Sequence, residues 1–253
     1  MNDESGAVRV KEFTIAIETP DGKLPPARVS VPDIPMTLGE IVPPAQQLAD
    51  GCVRLAVDAA RRTGREVSCR KGCGACCVQL VPLSIPELCF MRSTIREQGA
   101  EYESTVRSRF ASLESALRKQ GLWDKLEGLS GRGDDSAAAA EYFSAGIPCP
   151  FVKNGACSIH PRRPVACREY NVTSPPSHCG SPLEKKVERV RIHRRMTTAL
   201  ARLASELLGS PVRLVPMPML FSYRGSHPEL NEVSWPAPEL FDRMLAHALG
   251  GRE

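Results

Sequence analysis

Several features that would reveal a common class of protein are missing from this sequence. The first residues, Met1 to Ser5, are acidic and no apolar stretch follows them, so we expect no secretory signal. No window approaches the ~18 apolar residues of a membrane-spanning helix. We therefore expect a cytoplasmic protein with no membrane contact, in a compartment where structural disulfides are rare.

Aromatic residues and recognisable catalytic motifs are also scarce. Aromatics are 5% of the chain, and we find no Ser/His/Asp set, phosphate-binding loop, dinucleotide fingerprint or internal repeat. Charged residues at 25% and hydrophobic residues at 42% are close to the average of globular proteins, which argues against global disorder. The sequence therefore predicts a folded protein whose function must be sought in other residue types.

Cysteine is the residue type that stands out, with ten copies in the chain. Four of them, Cys69, Cys73, Cys76 and Cys77, share a short loop with two glycines. Thiolates two or three residues apart in a Gly-rich loop are what a tetrahedral Zn site or an iron–sulfur cluster requires. Four more follow at Cys149, Cys157, Cys167 and Cys179. The other two, Cys52 and Cys89, fall among apolar residues of predicted helices, and we assign them to the core.

The order of these blocks carries a family resemblance. The loop of residues 69–77 precedes a Cys-Pro-Phe step at 149–151 and the block Gly-Ala-Cys-Ser-Ile-His-Pro-Arg-Arg-Pro-Val-Ala-Cys-Arg at 155–168. This pattern resembles the zinc- or iron-chelating cysteine-cluster family, the YkgJ-type CxxCxxCC domain. All eight of these cysteines match the family pattern, so the resemblance makes each of them a candidate metal ligand. It also implies a role near the site for Arg163 and Arg168, in orientation or charge balance.

The allocation of ligands stays open at this stage. The eight thiols could form two four-thiolate sites, or one site with four thiols left for structure, redox work or a weaker metal. We favour Cys69, Cys73 and Cys76 together with Cys157 or Cys167. Cys77 is less favoured because adjacent residues point in different directions. His160 stands where the family usually has Tyr. It is predicted either to be a nitrogen ligand of the metal or to replace that tyrosine without a change of role. Tyr170 is predicted either to donate a hydrogen bond to a ligand sulfur or to lie in the core.

Three functions fit this pattern. The favoured one is a metal-binding protein in which Zn or Fe, including a [4Fe-4S] cluster, organises the fold. The second is an iron–sulfur enzyme of redox or methyl-transfer type, since cysteine-cluster regions also resemble part of the flagellin lysine N-methylases. The loop has radical S-adenosylmethionine spacing too, but Ala75 stands where that family has an aromatic residue. The third is a thiol redox or metal-handling protein.

Hydrophobic periodicity predicts a mainly α fold with irregular metal-binding loops and a short N-terminal β-hairpin. We expect a single domain, 1–253, with a hairpin extension at 1–35, a cysteine-cluster core at 69–179 and a helical region at 183–253. A Gly-rich segment at 128–136 is predicted to be a linker. Helices are predicted at 43–63, 84–97, 100–119, 137–145, 183–208 and 237–249.

Positive charge concentrates at the start of one predicted helix, residues 183–196. This segment holds six basic residues against Glu184 and Glu188. The basic residues are Lys185, Lys186, Arg189, Arg191, Arg194 and Arg195. They form either a solvated helix face or the binding surface of an anionic partner.

Overall fold

A computed structural model describes residues 8–129, 136–223 and 233–250. Helices dominate it, as the periodicity predicts. They are α1 (Val42–Arg62), α2 (Ile85–Glu97), α3 (Ala100–Lys119), α4 (Trp123–Leu129), α5 (Ser136–Ser144), α6 (Val165–Glu169), α7 (Pro176–Cys179), α8 (Met196–Leu208) and α9 (Ala237–Leu249). No helix within the described ranges is both long enough and apolar enough to cross a bilayer.

Strands in the described residues form only two-stranded antiparallel pairs. The longest pair, β1 (Val10–Ile15) with β4 (Ala27–Pro32), is the predicted N-terminal hairpin. Its tip pairs β2 (Glu18–Thr19) with β3 (Gly22–Lys23). The remaining pairs are β5 (Pro35–Thr37) with β10 (Ser234–Pro236), β6 (Pro82–Ser84) with β9 (Leu214–Pro216), and β7 (Val152–Lys153) with β8 (Ala156–Cys157).

Local signals explain where the well-predicted helices begin and end. The Ser84 side chain accepts a hydrogen bond from the Glu87 amide, and the Glu87 carboxylate accepts one from the Ser84 amide at 3.0 Å. This reciprocal pair is the capping box that the sequence predicts, and α2 begins directly after it. At the C-terminal end of α8, Gly209 takes a left-handed conformation with φ 56°, which suits glycine and ends the helix.

Two hydrophobic clusters hold the elements together. In the first, the hairpin packs with α1, α8 and α9 around Phe13, Leu200 and Phe241, among others. In the second, α2, α3 and α4 pack around Leu117 and Trp123. Helix α8 contributes to both clusters, because Leu200 and Ala204 are buried in different ones. The single-domain organisation stays a prediction, and this shared helix lends it support.

The predicted helix at 183–208 is wrong in its first half, because α8 begins only at Met196. The start signal at Ser181 produces a single turn, in which the amides of Glu184 and Lys185 donate to the Ser181 carbonyl. The backbone then pairs with a distant segment, and the Val190 amide donates to the Asn171 carbonyl at 2.8 Å. Non-local pairing therefore takes the backbone groups that a helix would need.

The predicted linker at 128–136 is also corrected in part. Gly128 and Leu129 end helix α4, and Ser136 begins α5. The remainder of the predicted linker, residues 130–135, lies outside the described residues.

Candidate metal centre

The first cysteine loop is a chain of tight turns between α1 and β6. The Cys73 amide donates to the Arg70 carbonyl at 3.1 Å, and the Cys77 amide donates to the Gly74 carbonyl at 2.9 Å. The loop is tied at its start, because the Ser68 amide donates to the Val172 carbonyl at 3.0 Å. Local turns thus bring the four thiols of residues 69–77 into a small volume, beside a segment about a hundred residues further along the chain.

The second cysteine region meets this loop at the level of the backbone. The Cys149 amide donates to the Cys77 carbonyl at 2.7 Å. Gly74 packs against Gly155 at the turn of the β7–β8 hairpin, so closely that a Cβ on Gly74 would lie 2.3 Å from the Gly155 carbonyl oxygen. Only a glycine fits this approach. The contact sets the distance between the loop that holds Cys73 and the strand that ends at Cys157.

Cys76 and Cys77 behave differently from our expectation that they point apart. The neighbouring Cys77 thiol is the largest cause that raises the pKa of Cys76, followed by burial, so the two side chains lie close to each other. Both residues lie in a turn, and this turn lets the neighbouring side chains converge. The two thiols therefore act as a vicinal pair at the middle of the cluster.

The other six thiols divide into two groups around this pair. Burial raises the pKa of Cys69 and of Cys179, and the neighbouring thiols of Cys73 and Cys76 raise it further in both cases. We name Cys69, Cys73 and Cys179 the first thiol group.

The second thiol group consists of Cys149, Cys157 and Cys167. Burial is the main cause that raises the pKa of each, to about 12 at Cys149, and the nearby Cys76 raises it further in all three. Cys149 and Cys157 also raise the pKa of Cys167. Cys76 thus influences five of the six thiols in the two groups, and Cys73 influences Cys69 and Cys179, so the eight candidate ligands lie near one another.

Every one of the ten cysteines lies in the described part of the chain, and each is a free thiol. Within those described ranges, however, no three or more His, Cys, Asp or Glu side chains have the arrangement of a ready-made metal site. The fit to a metal therefore rests on the chemistry of the donors. Eight thiols in one cluster suit Zn or an iron–sulfur cluster, and binding must draw them together and displace their protons.

Hydrogen bonds from outside the cysteine loops orient individual sulfurs. The Val172 amide donates to the Cys69 sulfur at 3.3 Å. The Tyr170 hydroxyl lowers the pKa of the Cys179 thiol, and a direct hydrogen bond from this tyrosine to a ligand sulfur stays a prediction. Gln79 donates to the same hydroxyl at 2.9 Å. Donors of this kind stabilise a thiolate and fix its direction. Sequence reasoning missed Gln79 and Val172, because a backbone amide or a lone Gln gives no signal in the sequence.

Arg163 places a positive charge near several of the thiols. Its charge lowers the pKa of Cys69, Cys76, Cys157 and Cys167, although burial keeps all four raised overall. Its Nε is buried and has no hydrogen-bond partner among the described residues. An unpaired buried donor beside a group of thiols is well placed for the negative charge that a thiolate centre carries.

Arg168 and His160 both contact residues other than the cysteines. Arg168 binds Asp50 of α1 at 2.8 Å and Gln46 at 3.2 Å, so it fastens the segment after the second cysteine block to the first core. His160 lies 2.5 Å from Arg163, measured between Nε2 and Nη1. Burial, followed by the charge of Arg163, lowers the pKa of His160. The imidazole is therefore neutral at physiological pH, and a nitrogen ligand at this position stays a prediction.

Two cysteines stand apart from the cluster, as predicted. Cys52 and Cys89 are buried in the first and second hydrophobic clusters. Burial is the main cause that raises the pKa of each to about 11. They are inert core residues, and this makes them useful controls for the cysteines of the cluster.

Comparison with known proteins gives one match. Residues 68–189 match the family model described as "CxxCxxCC: Putative zinc- or iron-chelating domain". The matched range includes both cysteine regions and ends at Arg189. No curated protein and no solved structure matches the chain. The match confirms the resemblance drawn from the order of the cysteine blocks.

Proposed function

We propose that this chain, whose residues 68–189 belong to the CxxCxxCC family of zinc- or iron-chelating domains, is a metal-binding protein whose cysteine-ligated centre organises its irregular loops. The observation that carries the proposal is that two distant regions, 69–77 and 149–179, contact each other through their backbones and together hold eight free thiols. Structural metal sites contribute folding free energy directly, and closed cysteine-only sites are usually structural.

The thiol groups support two sites of four ligands each. The first thiol group supplies three ligands to one site, and the second thiol group supplies three to the other. The vicinal pair Cys76 and Cys77 then provides the fourth ligand of each. This allocation uses all eight cysteines, and it explains why two adjacent cysteines converge at the junction of the groups.

The structure favours a structural role over thiol redox work. Redox cysteines need exposed thiols of low pKa. Every resolved shift among the cluster cysteines goes upward, mainly because they are buried. A radical enzyme of barrel type is also disfavoured, because sheets in the described residues have only two strands.

The first experiment measures metal content and the ultraviolet–visible spectrum on one sample purified without oxygen. A colourless protein with about two Zn per chain is the outcome expected for two four-thiolate zinc sites. A brown protein with broad absorption near ~400 nm and about four irons per site identifies iron–sulfur clusters in the same ligands. Purification with no bound metal would overturn the proposal.

Single substitutions then test the allocation. Cys69→Ala should remove the metal of the first thiol group and leave the other, and Cys167→Ala should do the reverse. Cys52→Ala is the matched control, because it deletes a thiol that is buried outside the cluster and should leave metal content unchanged. Loss of all metal in both cluster variants would disprove two independent sites and indicate one shared centre.

A further inference from the structure

The segment that sequence analysis predicted as a basic helix is extended, and this changes where its arginines lie. Residues 188–190 pair with residues 171–173, through an antiparallel bridge between Val172 and Arg189 and a backbone hydrogen bond on each side of it. Successive side chains of an extended strand point to opposite sides. Val190 and Ile192 are accordingly buried, whereas Arg189 and Arg191 are exposed on the other side. Extension therefore places two guanidiniums on one face, two residues apart.

These arginines line a cavity of about 360 Å³. Arg195, at the start of α8, adds a third guanidinium to the lining, and Glu169 and Tyr170 of the α6 end form part of its wall. A cavity of this volume is in the range of small-molecule sites. The cavity is thus a concave surface on which three cations from one short segment converge.

The protein does not neutralise this charge internally. Glu169 is the one carboxylate of the lining, and it accepts hydrogen bonds from the Met196 and Thr197 amides and from the Thr197 hydroxyl. Its contact with Arg195 is longer, at 3.6 Å. Arg191 has no hydrogen-bond or ion-pair partner among the residues that the structure describes. Three guanidiniums against one carboxylate leave a net charge of at least about +2 in the cavity, because burial raises the pKa of Glu169 to about 7 and protonation of its carboxyl only adds to the positive charge.

We propose that this cavity, framed by Arg189, Arg191 and Arg195, binds a phosphate dianion, either free or as the phosphate monoester of a small molecule. A phosphate monoester carries a charge of about −1.5 to −2 at neutral pH, which complements the net charge of the cavity. Guanidinium groups bind phosphate oxygens in a bidentate manner and are the preferred partners of such groups. The proposal does not depend on which metal the cysteines hold.

The cavity is connected to the thiol cluster through Tyr170. The guanidinium of Arg189 lies 5.8 Å from the centre of the Tyr170 ring. The hydroxyl of the same tyrosine lowers the pKa of the Cys179 thiol. Tyr170 therefore lines the cavity and also neighbours a cysteine of the candidate metal centre.

Calorimetric titration of the full chain at constant ionic strength tests the proposal, with inorganic phosphate and glycerol 3-phosphate as separate probes. We expect saturable binding with one ligand per chain. Tighter binding of glycerol 3-phosphate than of inorganic phosphate identifies a phosphorylated small molecule, and equal binding identifies free phosphate. Absence of saturable binding for both probes would overturn the proposal.

Two substitutions separate a site from general attraction. Arg191→Ala should weaken binding about tenfold or more, because it removes a charge-assisted contact. Lys185→Ala removes the same charge from the same exposed segment but does not line the cavity, and it should weaken binding less than about twofold. Equal loss in both variants would mean that the whole basic segment attracts polyanions such as nucleic acid, and the cavity proposal would be wrong.

Controls on the same samples keep the two proposals apart. Circular dichroism confirms that each variant is folded, and both positions are exposed, so neither change removes core packing. Metal content should stay at the wild-type value in both variants. If a variant loses phosphate binding and keeps its metal, the result bears on the cavity and not on the metal centre. If the wild type contains no metal and still binds phosphate, the metal proposal is wrong and the cavity proposal stands.

Discussion

Substituting Gly74 by alanine is the sharpest test of how the two cysteine regions depend on each other. An added Cβ would lie 2.3 Å from the Gly155 oxygen and 3.1 Å from its carbonyl carbon. An ordinary contact between carbon and a carbonyl oxygen is about 3.3 Å or longer, so the two loops must separate by about 1 Å. The obstacle is backbone on the opposite side, which cannot rotate away as a side chain can.

The consequence of this separation can be estimated. Overpacking of this kind costs typically about 1–3 kcal/mol of folding free energy. Metal–ligand distances tolerate only about 0.2 Å of error, so a 1 Å displacement is large for any site that uses thiols from both regions. We expect metal affinity to fall by roughly 5- to 150-fold, which is the same free energy expressed as a ratio.

Two assays measure the effect on purified full-length protein. Urea unfolding gives the change in the free energy of unfolding, and competition with a chelator gives the change in metal affinity. Gly128→Ala is the matched control, because no heavy atom of the described residues lies within 4 Å of the added Cβ and the residue is in the last turn of helix α4. Alanine should stabilise that helix by up to about 1 kcal/mol. Wild-type stability and metal affinity in Gly74→Ala would refute the reasoning.

Three further changes have defined outcomes. Arg163→Ala should shift metal uptake to higher pH, because the thiols lose the positive charge that lowers their pKa. Arg162→Ala changes an exposed neighbour and should leave the pH of metal uptake unchanged. Equal shifts of the two variants, measured as metal uptake over a series of pH values, would contradict this role of Arg163. Glu169 has its pKa raised by burial from 4.5 to about 7, so its contribution to stability is complete below pH 4.5 and is lost as pH rises to about 7. Relative to Glu169→Gln, the wild type should lose roughly 3 kcal/mol across that window in denaturant unfolding, and a pH-independent difference would contradict the assignment. Glu87→Ala should cost about 2–5 kcal/mol in the same assay, because it leaves buried donors of Ser84 and Val165 without an acceptor; a loss below about 1 kcal/mol would show that water replaces the carboxylate.

The parts of the fold that sequence predicts well are those set by local chemistry. Helix α3 and helix α9 match their predicted ranges, 100–119 and 237–249. Gly99 stops the preceding helix and Pro238 lies in the first turn of α9, so the boundaries are encoded by residues next to them. The cysteines of the candidate site were found for a similar reason, since the spacing of thiols within a loop is itself the signal.

The predicted secondary structure was wrong where residues that are distant in the sequence determine how the backbone folds. The sequence at 181–184 has the residues of a capping box, but the helix begins at Met196, where the amide of that residue bonds to Glu169. A carboxylate from a separate short helix thus caps α8. No reading of a local window can find such a cap, since it depends on how α6 packs. The pairing of residues 188–190 with residues 171–173 is equally non-local.

The grouping of the thiols was out of reach for the same physical reason. Which cysteines lie together depends on the contact between Gly74 and Gly155 and on the bond from the Cys149 amide to Cys77. The spacing of cysteines along the chain gives no information about either contact. Of the arginines near the cysteines, Arg163 lowers the pKa of several thiols, whereas Arg168 is turned toward Asp50 of α1. The arginines in the sequence therefore predict that a positive charge lies near the thiols, but they do not say which residue provides it.

The two cysteine regions differ in how the rest of the protein supports them, and this suggests where a metal adds most order. Helix α6 has five residues and is too short to be stable alone. It is nevertheless fixed on three sides: Glu87 accepts from the Val165 amide, Arg168 binds α1, and Glu169 caps α8. Cys167 is therefore held by both hydrophobic clusters before any metal binds. The loop of residues 69–77 has only turns and a few backbone contacts, so we infer that metal binding orders this loop around ligands that the second region already holds in place.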